Sequence, residues 1–209
     1  MHSLLPAGSW TARHRRPRTV ALLGAMALTL SACGDGDAPE AEKTDDDALA
    51  SATVSDAEGA ELGPVDVEET DGGLQISADL SDLEPGYYGF HVHEVGECET
   101  DSAAPDDSSD TGDFKSAGGH VGADDSKHPE HAGDLPPLLV TEDGTAELEV
   151  TTDRLTEEDL TDEDGAAVMI HSDPDNFANV PERYASDGPD SDTTDTGDAG
   201  DRLACGTLE

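Results

Sequence analysis

Basic residues are what this chain has least of: ten Lys and Arg stand against fifty Asp and Glu in 209 residues. Four of the ten, Arg13, Arg15, Arg16 and Arg18, lie in the first 32 residues, where there is no acid. The rest therefore carries six bases against fifty acids, a formal charge of −44. Such a field repels phosphate groups, which excludes nucleic acid and anionic membrane surface as electrostatic partners. A membrane-spanning run is missing as well. The apolar stretch Val20 to Leu30 has 11 residues, short of the ~20 that a spanning helix needs. Helical patterning is nearly absent: only Thr156 to Leu160 reads as a helical turn, with Thr156 as its N-cap. There is no internal repeat. Cysteine is limited to Cys33, Cys98 and Cys205.

What is present begins with an address. Arg13 to Arg18 form a positive segment, Val20 to Leu30 the apolar one, and Leu30-Ser31-Ala32-Cys33 follows. This order is that of an export signal over residues 1–32, and small residues ahead of a cysteine are similar to the lipidation site of bacterial lipoproteins. Cys33 is then the lipidated N-terminus and the anchor to the membrane; the other reading is plain secretory cleavage that leaves Cys33 spare. Arg15-Arg16 lacks the rest of a twin-arginine motif. Residues 33–50 are mostly Gly, Asp, Ala, Pro, Glu, Lys and Thr and read as a flexible acidic tether. The domain occupies residues 51–209 and is expected outside the cytoplasm, where disulfides persist. Two readings account for its charge. One is disorder. The other is the solvation shell of a halophilic protein, in which concentrated salt screens carboxylate repulsion. The interspersed strand patterns favour the second.

Short β-rich segments recur at about Ser51–Ser55, Gly63–Glu68, Gly73–Leu80, Tyr87–Val95, Pro137–Thr141, Thr145–Thr152, Ala166–His171 and Leu203–Leu208. Many are separated by turn signals such as Asp71-Gly72-Gly73 and Glu84-Pro85-Gly86. Eight such strands predict an all-β fold, an eight-stranded barrel or sandwich. Two long connections, Gly96–Leu135 and Ser172–Arg202, are expected to be functional loops.

The chemistry lies with the histidines. Beyond His2 and His14 the chain has six: His91, His93, His120, His128, His131 and His171. In Phe90-His91-Val92-His93 the alternation predicts both imidazoles on one face of a strand and Phe90 and Val92 in a core. In Val168-Met169-Ile170-His171 it predicts Val168 and Ile170 inward, His171 and Met169 outward. Four imidazoles from His91, His93, His120 and His171 suit copper, which takes nitrogen in tetragonal arrangements. The run His120-x7-His128-x2-His131-x2-Asp134 supplies three nitrogens and a carboxylate, which suit tetrahedral zinc. His120 serves both metals only if both of its ring nitrogens are deprotonated. Cys98 and Cys205 are an even pair in an oxidising compartment and read as one disulfide, the alternative being two free thiols. A loop of that length is worth about 4–5 kcal/mol in chain-entropy terms.

At these residues the sequence resembles copper/zinc superoxide dismutases of the bacterial secreted or lipoprotein type. The matching motifs are Gly-Phe-His-Val-His-Glu (Gly89–Glu94), Ala-Gly-Gly-His (Ala117–His120), His-Ala-Gly-Asp-Leu (His131–Leu135), the strand ending in His171, and Gly-Asp-Ala-Gly-Asp-Arg-Leu-Ala-Cys-Gly (Gly197–Gly206). The resemblance implies a Greek-key fold and dismutation of superoxide to oxygen and hydrogen peroxide by copper cycling between two oxidation states. It assigns copper to His91, His93, His120 and His171, and zinc to His120, His128, His131 and Asp134. It implies Arg202 as the group that holds the anionic substrate, the Cys98–Cys205 disulfide, and His120 as a catalytic ligand that releases reduced copper and carries a proton. Asp175 matches an aspartate linking copper and zinc ligands, with Asp173 a neighbour able to play that part. The zinc run is short, and Thr194 to Asp198 carries no base where the family often has a lysine. A reading from another class is an extracytoplasmic copper-buffering lipoprotein, which would need the histidines but not Arg202. Oligomeric state is not legible.

Overall fold

Residues 48–209 are described by the computed structural model. The expected leader, Cys33 and the tether up to residue 47 lie outside them. Alternation decides which face of each strand is buried. Strand β1 (Ala50–Asp56) buries Ala50, Ala52 and Val54; β2 (Glu61–Thr70) buries Leu62, Val65 and Val67; β3 (Gly73–Leu80) buries Leu74, Ile76, Ala78 and Leu80. Each larger side chain taken fully from water contributes about 1.5–3 kcal/mol, which is why register does not slip by one residue. β1 begins at Ala50, one residue before the expected first strand, and Leu49 N donates to Val67 O.

The remaining elements are β4 (Gly86–Tyr88), β5 (Phe90–His93), β6 (Ser102–Ala103), β7 (Thr111–Gly112), β8 (Leu138–Val140), β9 (Ala146–Thr152), helix α1 (Glu157–Thr161), β10 (Ala166–His171), helix α2 (Ser191–Thr196) and β11 (Arg202–Leu208). The antiparallel sheet runs β5-β10-β11-β1-β2-β3-β9, while β4 pairs with β8. The chain leaves β3 beside β9, passes through β4 and reaches β5 at the other end of the sheet, the Greek-key connection of a curled all-β sheet. The turn between β8 and β9 is closed by Thr141 N donating to Thr145 O.

All eight expected strands are present, with one difference. The segment Tyr87–Val95 is not continuous: it divides at Gly89 into β4 and β5. A Cβ at Gly89 would stand 2.7 Å from the Cβ of Ala199 and 3.3 Å from that of His171. The backbone there bonds instead to the long second loop, Gly89 N donating to Asp173 O. Helix α1 is capped as expected, with Thr156 and Asp159 forming a reciprocal capping box.

The long connections hold more structure than the sequence suggests. The first contains the β6–β7 ladder and a 3-10 turn at Lys115–Ala117; the second contains α2, capped by the Asp190 side chain. The first loop corrects an expectation about β10. Met169 does not face outward to solvent but is fully buried, and His171 is buried too. Met169 packs with Phe114, Ala117, Ala167 and Cys205, so the loop forms a second small core on the outer side of the sheet. The Cys98–Cys205 disulfide, across a separation of 107 residues, ties that loop to β11.

Candidate metal centre

β5 is an edge strand of the main sheet, and what covers its free edge builds the site. On one side it pairs with β10, setting His91 opposite Met169 and His93 opposite Ala167. On the other, the first loop docks by bridges that set His91 against Asp134 and His93 against His120. Val92 N donates to Gly133 O, and Val121 N donates to Val92 O. A Cβ at Gly133 would fall 2.2 Å from Val92 O, so only glycine permits this approach. On β10 a bulge after Ile170 sets His171 opposite Arg202 of β11. Four chain segments far apart in sequence, β5, the first loop, β10 and β11, thus bring six histidines and one arginine together.

All six imidazoles are buried. The ring centroids of His91 and His120 are 4.1 Å apart, those of His91 and His171 4.8 Å, and those of His93 and His120 4.9 Å. Ligand atoms of His91, His93, His120 and His171 all lie within 4.8 Å of one another, and so do those of His91, His120, His128 and Asp134. His131 is outside that second grouping, but its Nδ1 lies 3.4 Å from His120 Nδ1 and 3.2 Å from Asp134 Oδ1. Asp134 Oδ1 is also 2.8 Å from His120 Nδ1 and 3.1 Å from His128 Nδ1.

Tautomers follow from the acceptors. Gly118 O can only accept, so His93 Nδ1 carries the proton in a 3.0 Å bond and leaves Nε2 with its lone pair. Asp175 sits between two rings. Its Oδ2 takes a 2.8 Å bond from His91 Nε2 and its Oδ1 a 2.9 Å bond from His128 Nε2. Both rings therefore turn Nδ1 inward, that of His91 without a partner and that of His128 toward Asp134. Asp173 makes no such bridge; its carboxylate bonds Ser172 instead. Of the two aspartates, it is Asp175 whose carboxylate lies between the His91 and His128 rings. Gly197 makes room for it, because a Cβ there would meet Asp175 Oδ1 at 2.3 Å and His128 Nε2 at 2.6 Å.

The buried nitrogens left without a hydrogen bond are His91 Nδ1, His93 Nε2, His120 Nε2 and both ring nitrogens of His171; His128 Nδ1 faces only the Asp134 carboxylate, at 3.1 Å. An unsatisfied buried polar atom costs roughly 1–3 kcal/mol, so a cluster of them pointing at one another fits cations. Burial, together with the neighbouring imidazoles and Arg202, pushes His93 and His171 well below the usual histidine value. Burial also lowers His120 to about 4 despite its bond to Asp134. These three rings are neutral near pH 7, the form in which nitrogen binds a metal. His128 goes the other way: burial opposes it, but bonds to Asp134 and Asp175 hold it up to about 9. Against the penalty of burial, bonds from His120 and His128 hold Asp134 below the carboxylate range, and bonds from His128 and His91 do the same for Asp175.

An open cleft of about 550 Å³ leads to the cluster, lined among others by His93, His120, His171, Lys115, Asp201 and Arg202. Arg202 is clamped there, its Nη1 donating to Phe114 O at 2.5 Å and its Nη2 to Gly118 O at 2.6 Å. The Gly118 carbonyl therefore holds both Arg202 and His93. Glu94 steadies the same turn by accepting from Gly119 N at 3.0 Å. Sequence reading missed Lys115 at the mouth and Lys127 beside it. They are paired with Asp110 at 2.9 Å and Asp195 at 2.5 Å respectively. No motif marks either lysine, because only the folding of the two loops brings it to the cleft.

A family model described as copper/zinc superoxide dismutase matches residues 62–208. A Cu-Zn superoxide dismutase of Mycolicibacterium paratuberculosis is 47% identical over 131 residues, 60% of this chain and 57% of that protein. This chain thus spans little more than half the length of that mycobacterial relative. A Cu-Zn superoxide dismutase of Escherichia coli K12 is 36% identical over 162 residues, 75% of this chain and 83% of that one. Among solved structures, the Cu/Zn superoxide dismutase from Brucella abortus superposes with a TM-score of 0.57 at 30% identity, covering 76% of this chain and 98% of that one.

Proposed function

The chain belongs to the copper/zinc superoxide dismutase family, and from that premise we propose that it converts two superoxide anions and two protons to oxygen and hydrogen peroxide. The observation that carries the reading is the set of inward nitrogens without a partner, beside a clamped guanidinium in an open cleft. His91 Nδ1, His93 Nε2, His120 Nε2 and His171 would hold copper; the Nδ1 atoms of His120, His128 and His131 with Asp134 would hold zinc. Copper, when bound, supplies the one-electron redox cycle. The chain supplies the rest. Arg202, permanently charged and held by two carbonyls, orients the anion at the cleft floor. His120 Nε2 is the atom at which a proton is held and passed to the reduced product. Asp175 keeps His91 and His128 in the tautomers that face their metals.

Arg202 and Asp175 favour an enzyme over the copper-buffering alternative, since storage needs neither an anion clamp nor a link between two metal sites. The Cys98–Cys205 disulfide supports an oxidising, extracytoplasmic location. Removal of residues 1–32 and lipidation of Cys33 would tether the domain to the membrane through an acidic linker. The acidic surface is read as a halophilic solvation shell. Metal analysis paired with a superoxide-consumption assay tests the reading. Folded, copper-loaded protein should consume superoxide far faster than buffer; no excess over buffer would leave copper buffering as the function.

A further inference from the structure

We propose that Arg154 is a positioning residue for zinc, a clamp that holds the short segment between His128 and His131 in its ligating shape. This rests on the zinc reading above and goes beyond the ligands themselves. Arg154 follows the end of β9 and has a rigid base. Its own N–H donates to Thr152 Oγ1 at 3.2 Å, and the next residue, Leu155, is buried in the main core. From that base its Nη1 donates to Pro129 O at 2.8 Å and reaches His131 O at 3.4 Å. These carbonyls belong to the residue after one zinc-site histidine and to the other histidine itself. Only Pro129 and Glu130 separate the two histidines, and no strand ladder runs through that segment.

The choice of partner is informative. In a chain with fifty acids, this guanidinium is spent on two backbone carbonyls of one loop. A hydrogen bond from a charged donor is roughly twice as strong as a neutral one. A single nitrogen joined to both carbonyls fixes the distance between them, and with it the spread of the His128 and His131 rings. Without the clamp, each metal-binding event must first order the loop, which lowers affinity without changing any ligand.

The test uses the full chain carrying Arg154→Ala, Arg154→Gln or Arg154→Lys, stripped of metal, with zinc affinity read by competition against a chelator. Copper affinity and the circular dichroism melting curve are recorded on the same samples. Loss of the clamp is expected to weaken zinc about 10–100-fold, the usual cost of removing a partner behind a metal ligand, with copper affinity changed less than threefold. Arg154→Lys keeps the charge and one donor group and should recover part of the loss. Wild-type zinc affinity in a folded Arg154→Ala or Arg154→Gln protein would overturn the clamp. So would equal losses of copper and zinc, which mark a general structural role. If the Ala variant fails to fold, the Gln and Lys variants decide. A wild-type chain that takes up no zinc, alongside a His131→Ala control that behaves identically, would instead overturn the zinc assignment on which the clamp depends.

Discussion

The two halves of the candidate metal centre are held by different means. His91, His93 and His171 stand on β5 and β10, neighbouring strands joined by a continuous ladder and backed by Phe90, Val92, Val168 and Ile170 in the core. His128, His131 and Asp134 stand on a connection held by separate contacts: the backbone bonds of Val92 to Gly133 and of His128 to Thr194, the Asp175 carboxylate, and Arg154. A side chain on a ladder is fixed by many bonds at once, so losing one neighbour moves it little. A side chain on a stapled loop depends on each staple. The strand half should tolerate changes behind the ligands, and the loop half should not.

The largest effect tests the strand half directly. His93→Ala removes one of the proposed copper ligands, and copper affinity and dismutase activity should fall by more than the roughly 10–100-fold that an outer partner costs. Copper titration and a superoxide assay check this; a small effect would mean that the strand half is not the redox site.

Asp175→Ala probes the joint between the halves. It frees the His91 and His128 rings together, yet only His128 depends on a loop. Zinc affinity should drop about 10–100-fold and copper affinity by less. Equal loss at both metals would break the distinction between ladder and staple.

Arg202→Ala is expected to act on substrate rather than metal. Activity should fall about tenfold, the lower end of the gain that local positive charge gives an anion, with the visible copper spectrum unchanged. Loss of copper in that variant would show that the guanidinium supports His93 through the shared Gly118 carbonyl more than it serves the cleft.

In metal-free protein the histidines of the centre respond to pH with opposite signs. His128 is raised to about 9, so its protonated bonds stabilise the fold fully below about 6.5, its ordinary value, and are lost as pH rises through 9. His93, His120 and His171 are lowered, so the unfolded chain binds protons more readily and stability falls as pH drops below about 6.5. Melting temperature should therefore peak near pH 6.5 without metal. Zinc bound as proposed should remove the alkaline decline, because it would replace the proton on His128. A melting temperature that still falls between pH 7 and 9 in zinc-loaded protein would contradict this.

Salt should have the smallest effect. Lys115 adds a positive group to the cleft, but Asp110 neutralises it, and Asp201 lines the same mouth. At about 0.1 M salt the Debye length is roughly 10 Å, and at about 1 M roughly 3 Å. Distant carboxylates are screened before the close attraction of Arg202. Activity per folded, copper-loaded molecule should rise a few-fold between those concentrations, with circular dichroism recorded at each. A steady fall would show that local steering outweighs the acidic surface.

Strand positions were legible in the chain because a half-buried strand writes its period of two directly into residue order. β3 and β10 match their expected limits, and Thr156 announced α1 through a cap that needs only its neighbours. The histidine and Asp134 ligand types were legible for the same reason, as short motifs of local spacing. The division at Gly89, the burial of Met169 beneath the first loop, the preference for Asp175 over Asp173, and the presence of Lys115 and Arg154 at the centre were not. Each depends on contacts between residues far apart in the chain, where no periodicity links one partner to the other. Residue order determined which side chains could bind metal and where the strands run. The docking of two long loops on the free edge of β5 decided which nitrogens face one another, which carboxylate sets their tautomers, and what holds the loop in place.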